Sequence, residues 1–380
     1  MKIVTVIGAR PQIIKAAALS RAIKNNFSNV INEVIVHTGQ HYDENMSQVF
    51  FDELGIPQPN YNLRIGSASH GRQTALMVEG IEEILLEEKP DYLVLYGDTN
   101  STLAGAIAAS KIHIPIVHIE AGLRSFNKKM PEEINRIMCD HSSTLLFSPT
   151  QTGFNNLLRE GFSANTKMPF TADNPGVFHC GDVMFDNSLF FKDVTLDKSK
   201  ILTDNELQAR NFILATIHRN NNTDEPERLN AIFSSILRIS EDFEIEVVLP
   251  LHPRTSKLLE KNLDSDLYEK IQQSKKLKLI PPVSFLDMIA LESNCKLIMT
   301  DSGGVQKEAY FFEKPCIILR SETEWKEIVE EGTAIVVNAD ENKIFAAYDY
   351  FSEYEGMSFP SIFGDGKAAE FICETMLTNG

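Results

Sequence analysis

Short apolar runs rich in β-branched and aromatic residues alternate along the chain with longer segments whose apolar positions recur at helical spacing. Ile3–Ile7, Glu33–His37, Tyr92–Tyr96, Ile116–Ile119 and Leu145–Phe147 read as strands of a first series. Phe212–Ala215, Glu246–Leu249, Leu277–Ile280, Leu297–Met299, Cys316–Leu319 and Ala334–Val337 form a second. Strands that are apolar on both sides and separated by helix-length stretches predict parallel sheets covered on both faces. The fold class expected is therefore α/β, with two doubly wound, Rossmann-like domains. Between the series, residues 165–176 carry Pro169 and Pro175 among small polar residues and show neither period, which marks a linker and an extended loop. The expected domains are residues 1–176 and 177–365. Gly364-Asp365-Gly366 then breaks the chain before an amphipathic helix within 366–380, expected to fold back on the first domain. Ligands of open parallel sheets sit beyond the carboxyl ends of the strands, so two facing domains predict a cleft there.

Composition narrows the partners. A formal net charge of −17 argues against non-specific binding to nucleic acid or to an anionic membrane, and leaves small molecules. Cys139, Cys180, Cys295, Cys316 and Cys373 are scattered, odd in number and without a Cys-x-x-Cys pair, so neither a disulfide framework nor a zinc site is expected. Met1-Lys2 leads directly into a strand, and no apolar run approaches transmembrane length. A soluble, cytoplasmic protein is expected.

The candidate chemistry follows the strands. Asp301-Ser302-Gly303-Gly304 ends one strand and opens a helix, where free backbone N–H groups converge on one spot and the glycines admit a ligand closely. That suits a diphosphate, and Glu308, a helical turn later, suits sugar hydroxyls; together they suggest a nucleotide. Gly8-Ala9-Arg10-Pro11 ends the first strand, placing Arg10 and Lys15 where a phosphate would lie, although Lys15 also reads as an ordinary solvated lysine. Asp98, Glu120 and the pair Glu132 and Glu133 gather acids at the same sheet edge. Mutual repulsion there is expected to separate a general acid from a general base. Asp98 equally reads as a helix N-cap, and Glu132 and Glu133 as first-turn charges after Pro131. Arg124 and Arg136 read as ion-pair partners of these acids. In the second series, His218-Arg219 and His252-Pro253-Arg254 end strands with groups able to reach sugar or phosphate oxygens, His252 doing equally well as a loop histidine. Phe285 is placed to stack on a flat base or to join the core. His37 and His41 have i, i+4 spacing but span Gly39 without an intervening glutamate, so no catalytic metal is expected, and no cofactor.

Taken in order, Gly-Ala-Arg-Pro with Lys15, His37-Thr-Gly-Gln-His41, Gly97-Asp98-Thr99, His118-Ile-Glu120-Ala-Gly-Leu-Arg124, Pro131-Glu132-Glu133-Ile-Asn135-Arg136, His218-Arg219 and Asp301-Ser-Gly-Gly304 resemble the non-hydrolysing UDP-N-acetylglucosamine 2-epimerases over nearly the whole chain. The resemblance implies a GT-B type fold, a homodimer, and interconversion of UDP-N-acetylglucosamine and UDP-N-acetylmannosamine by elimination of UDP to a 2-acetamidoglucal and its re-addition. It implies Asp98, Glu120 and Glu132 as acid/base groups, with His218 beside the leaving group. Arg10, Arg136, Arg219, Ser302, Gly303, Gly304 and Glu308 are implied as UDP and substrate contacts. Gln12, Asn220 and Asn221 depart from the common family pattern. His70 stands where substrate-activated members have glutamine, leaving His41, His70 and His252 as candidates for a regulatory site. The Gly-Ala-Arg-Pro-Gln opening, Gly97–Thr102 and Arg124–Asn127 resemble more closely the branch acting on UDP-2,3-diacetamido-2,3-dideoxy-glucuronate, whose extra carboxylate would call for Lys128, Lys129 or Arg320. A GT-B glycosyltransferase and a non-catalytic UDP-sugar-binding protein are the remaining alternatives.

Overall fold

The structure, a computed structural model, describes residues 1–40, 51, 55–251, 253–353 and 356–379, with the side chains of Pro253 and Arg254 excepted. The chain divides into two compact units, Met1–Asn187 with Ser361–Gly380, and Ser188–Pro360.

The first unit holds a parallel sheet of β1 (Lys2–Ile7), β2 (Asn32–His37), β3 (Tyr61–Asn62), β4 (Tyr92–Tyr96), β5 (Ile116–Ile119), β6 (Leu145–Ser148) and β7 (Gly176–His179), in the order β3-β2-β1-β4-β5-β6-β7. The second holds β8 (Phe212–Thr216), β9 (Glu246–Pro250), β10 (Leu277–Ile280), β11 (Leu297–Thr300), β12 (Cys316–Ile318) and β13 (Ala334–Val336), in the order β10-β9-β8-β11-β12-β13, again parallel. Ile3, Val4, Val6 and Ile7 of β1, and Phe212 to Ala215 of β8, are fully buried, as strands covered on both faces must be. Each sheet reverses its order once, between β1 and β4 and between β8 and β11. These are the switch points where loops at the carboxyl ends splay apart and leave room for a ligand.

Two expectations about domain limits are corrected. Residues 165–176 are not a linker between units: they lead into β7, which begins at Gly176 and pairs with β6, so the first unit continues to Asn187. The second unit ends at Pro360, before the expected 365. The returning segment is then sewn to the first unit. The Asp182 N–H donates to the Phe363 carbonyl (2.9 Å), and Asp186 accepts from the N–H groups of Ala368 (3.2 Å) and Ala369 (2.8 Å), capping the helix Ala368–Asn379. Phe371 of that helix meets Phe147 and Phe178 edge-on.

Burial pushes the Asp186 carboxyl up to about 6, against the pull of the two N–H donors. A folded-state value raised above the unfolded one means stability is fully present below the unfolded pKa and is lost as pH rises through about 6. Chemical denaturation between pH 4 and 7 should therefore show a loss of order 3 kcal/mol from this group. Asp186→Asn should flatten that slope; an unchanged slope would assign it to other groups.

Candidate active site

At the first switch point the chain leaves β1 through Gly8-Ala9 into the helix Arg10–Ala22. A Cβ on Gly8 would lie 2.2 Å from both Ser101 Oγ and Thr38 Oγ1, so glycine lets three loops meet. Gln12, where the family pattern commonly has glutamate, is buried and structural. Its Oε1 accepts from the N–H groups of Gly8 (3.0 Å) and Ala9 (3.2 Å), while Nε2 donates to the Tyr96 carbonyl and Thr102 Oγ1 (both 3.0 Å). Arg10 is exposed on the first turn of the helix. Lys15 is not an ordinary solvated lysine: its ammonium pairs with Glu120, the two side chains being 12% and 11% exposed.

Glu120 follows β5 in the left-handed region (φ 75°), and Gly97, just after β4, has φ 61°. β4 and β5 are neighbours, and the Gly97 N–H donates to the Ile119 carbonyl (3.0 Å). A Cβ on Gly97 would lie 3.0 Å from Glu120 Oε2. Asp98 and Glu120 thus emerge side by side from adjacent strand ends.

Asp98 is not the helix cap; Thr99 is, accepting from the Thr102 N–H. Arg136 donates to Asp98 Oδ2 from Nε (2.9 Å), and its Nη2 lies 2.7 Å from the same oxygen. Its Nη1 reaches Glu133 Oε2 at 2.8 Å. Burial works against the Arg136 charge, but Asp98, Glu133 and Glu120 outweigh it and hold the guanidinium above its ordinary pKa. Glu133 is committed elsewhere: it accepts from the Ser125 N–H and hydroxyl and the Phe126 N–H (2.8, 3.0 and 2.9 Å), pinning the loop after β5. Glu132 is exposed on the first turn of the helix Pro131–Asp140. The expected mutual repulsion of these acids is offset, because Asp98, Glu120 and Glu133 each receive a cation, Arg136 in the ion-pair role expected of it.

Beneath them runs a buried ionic chain that the sequence reading did not single out. His118, in β5, contacts Asp140 Oδ1 through Nδ1 (2.6 Å) and the Gly97 carbonyl through Nε2 (2.8 Å). Asp140 Oδ2 accepts from the Gly122 N–H (3.2 Å) and pairs with Arg124 (2.7 Å), which also grips Glu160. Burial opposes the His118 charge, but Cys139 and Asp140 beside the ring outweigh it and raise its pKa well above the usual histidine value. Burial likewise pushes Asp140 upward, and His118 and Arg124 reverse this. The signal in sequence was a histidine inside an otherwise apolar strand, a position that needs buried partners.

In the second unit the switch point brings the β8 and β11 loops together through Asp301, fully buried. Its carboxylate accepts from the His218 N–H (3.1 and 3.2 Å), the Arg219 N–H (3.0 Å) and Asn222 Nδ2 (3.1 Å), with His218 Nδ1 at 3.3 Å. The exposed His218 and Arg219 side chains are thereby fixed beside the helix Gly303–Phe311. The first backbone bond of that helix is Gln306 N–H to Ser302 O (3.2 Å), leaving the N–H groups of Gly303, Gly304 and Val305 unused within it. Ser302 caps by backbone only, its N–H donating to Thr300 Oγ1 (2.9 Å). A Cβ on Gly303 would find Glu324 Oε2 at 3.6 Å, and Glu324 forms a two-point pair with Arg320 (2.7 and 2.8 Å). Glu308 is half-buried one turn along, facing the buried Glu292.

Other candidates lie apart from these loops. Phe285 is 8% exposed and edge-on to Phe191 at 5.2 Å, which is the core arrangement rather than an open stacking platform. His70 is exposed and accepts at Nδ1 from Asn100 (3.1 Å). His41 and His252 lie outside the described residues. Among the described residues, no group of three or more His, Cys, Asp or Glu is placed to hold a metal ion.

The family model described as UDP-N-acetylglucosamine 2-epimerase matches residues 23–377. A Methanococcus maripaludis protein named as a homologue of that enzyme is 49% identical, the match covering 99% of either chain. The UDP-2,3-diacetamido-2,3-dideoxy-D-glucuronate 2-epimerase of Pseudomonas aeruginosa is 44% identical over 98% of this chain and 99% of its own. Among solved structures, the Methanocaldococcus jannaschii UDP-GlcNAc 2-epimerase in complex with UDP-GlcNAc and UDP superposes with a TM-score of 0.82 at 42% identity, each chain covered in full.

Proposed function

The chain belongs to the UDP-N-acetylglucosamine 2-epimerase family, with its GT-B fold, and on that premise we propose that it inverts C2 of UDP-N-acetylglucosamine by eliminating UDP and adding it back. The observation that carries this reading is the pair of acids, Asp98 and Glu120, at the adjacent ends of β4 and β5 beside the first switch point, each matched to a cation. A glycosyltransferase or a binding protein gains nothing from that arrangement.

The hydrogen on C2 is a very weak acid, so the bond from C1 to the diphosphate must break first and leave positive character on the sugar. Departure is helped by groups of the second unit placed for the diphosphate: the N–H groups of Gly303 and Gly304 that the helix leaves unused, with Ser302, His218 and Arg219. Glu308 takes the ribose hydroxyls. Carboxylates of the first unit stabilise the cationic sugar, and one of Asp98, Glu120 and Glu132 removes the C2 proton to give 2-acetamidoglucal. Protonation on the opposite face and return of UDP complete the inversion. Lys15 holds Glu120, and Arg136 holds Asp98, in the orientation this requires.

In D2O with UDP-N-acetylglucosamine alone, the enzyme should form the manno isomer carrying deuterium at C2. Binding without exchange, or sugar loss that requires an acceptor, would refute epimerisation. Asp301→Ala should raise the Kd for UDP at least ~10-fold, because the buried carboxylate alone fixes the N–H groups of His218 and Arg219. Titration calorimetry reads the affinity, and an unchanged Kd would remove the diphosphate from this loop.

The 44% identity to the diacetamido-glucuronate enzyme favours a second substrate reading. Lys128 and Lys129 are exposed in the loop that Glu133 pins, and either could meet a substrate carboxylate, whereas Arg320 is already held by Glu324. Comparing kcat/KM for the two UDP-sugars decides between them. The family also implies a homodimer, and the scattered cysteines suit a reducing cytoplasm. A groove of about 930 Å³ lined by Val78, Leu103, Ile107 and Ile134 offers the apolar face such a dimer needs, and light scattering should give twice 42.7 kDa.

A further inference from the structure

Glu120 is a charged, non-glycine residue in left-handed backbone, a conformation that persists only when its surroundings over-determine it. The ionic chain beneath it supplies that determination from both sides. His118 lies two residues before Glu120 and Gly122 two residues after, and both are bound by the one carboxylate of Asp140. The other ring nitrogen of His118 crosses to the neighbouring strand end and meets the carbonyl of Gly97, the residue before Asp98. A carbonyl oxygen only accepts, so Nε2 carries a proton. Asp140 already accepts from the Gly122 N–H and from Arg124, which marks it as the ionised partner of Nδ1–H.

We propose that His118, donating from both ring nitrogens as a buried imidazolium, is a positioning residue that clamps the Asp98 turn to the Glu120 strand end, so that both carboxylates address one sugar ring. The groups facing it are Asp140 and Cys139 from the helix Pro131–Asp140 and the Gly97 carbonyl after β4; Arg124 and Glu160 act on it only through Asp140. No ring atom reaches solvent, since His118 is 0% exposed, and a direct role in proton transfer with substrate is therefore not assigned to it. A fixed cation at this depth also offsets the negative charge that Asp98 and Glu120 bring to one edge. The inference rests on the epimerase reading for its kinetic consequence, but its structural half stands alone.

Two measurements test it. In wild-type protein labelled with 15N-histidine, the His118 ring should show both nitrogens protonated at pH 8; a neutral ring with one tautomer would overturn the clamp without reference to activity. His118→Gln keeps donors on only one nitrogen, puts an acceptor oxygen in place of the other, and carries no charge. It should lower kcat for epimerisation ~10²-fold, with KM and the Kd for UDP within about threefold of wild type, as expected when alignment of acid/base groups is lost but binding is kept. Unchanged kcat, or a fall in UDP affinity parallel to kcat, would overturn the positioning role. Should the wild-type enzyme lack epimerase activity on either UDP-sugar, the epimerase reading fails, while the 15N result still decides the clamp.

Discussion

Glu120→Gln should lower kcat by ~10³-fold or more while the Kd for UDP stays within about threefold of wild type. The side chain is held by Lys15 within a site that Gly97 keeps open, and its backbone is fixed by β5 on one side and the Asp140 bond to Gly122 on the other. Glutamine reproduces the shape and can still accept from Lys15, so folding and UDP binding have little reason to change. What it cannot do is take or return a proton, or stabilise a cationic sugar with a full negative charge. Both losses fall on the transition state alone, which is why kcat and not affinity carries the effect. Incorporation of deuterium at C2 should fall with kcat. A variant that still exchanged at C2 but released no manno isomer would place Glu120 on the return half of the reaction only, and one with wild-type turnover would remove it from the chemistry.

The fold was legible because its signal is repeated. Each apolar run that reads as a strand is one, and the loops at their carboxyl ends carry the candidate residues, since a parallel sheet puts its ligands there. What escaped was short or depended on partners distant in sequence. β3 has two residues and β7 begins at a glycine after an irregular loop, so neither shows a period, and missing β7 misplaced the boundary. At the site, the residue types were readable but their pairings were not. Lys15 to Glu120, Arg136 to Asp98 and His118 to Asp140 join helices to strand ends far apart in sequence, and only the sheet order brings them together. Glu132 and Glu133 look alike in sequence. Three donors from Ser125 and Phe126 of the pinned loop, together with Arg136, make Glu133 a structural anchor, while its neighbour faces solvent.

Gly122→Ala should be among the most destabilising single substitutions in the first unit, by roughly 4 kcal/mol or more. At φ 79° any side chain costs about 1–2 kcal/mol through the left-handed backbone alone. The larger share is steric. A Cβ at Gly122 would lie 2.2 Å from the Gly153 carbonyl oxygen and 2.8 Å from its carbon, which are backbone atoms and cannot rotate away. Nor can Gly153 retreat, since a Cβ there would itself lie 2.4 Å from Ser148 Oγ, showing how closely its helix already packs on the β6 end. Gly332 supplies the internal comparison: its φ of 73° is nearly the same, yet no atom stands within 4 Å of its would-be Cβ, so Gly332→Ala should cost only the backbone share. The difference between the two variants in urea denaturation isolates the clash. Because the Gly122 N–H is also one of the bonds that brackets Glu120, Gly122→Ala should lose epimerase activity at temperatures where it is still folded, whereas Gly332→Ala should lose activity only as it melts. Equal destabilisation of the two would mean that the crossing of the β5 loop over Gly153 relaxes freely, and the rigid support inferred for the Glu120 strand end would not exist.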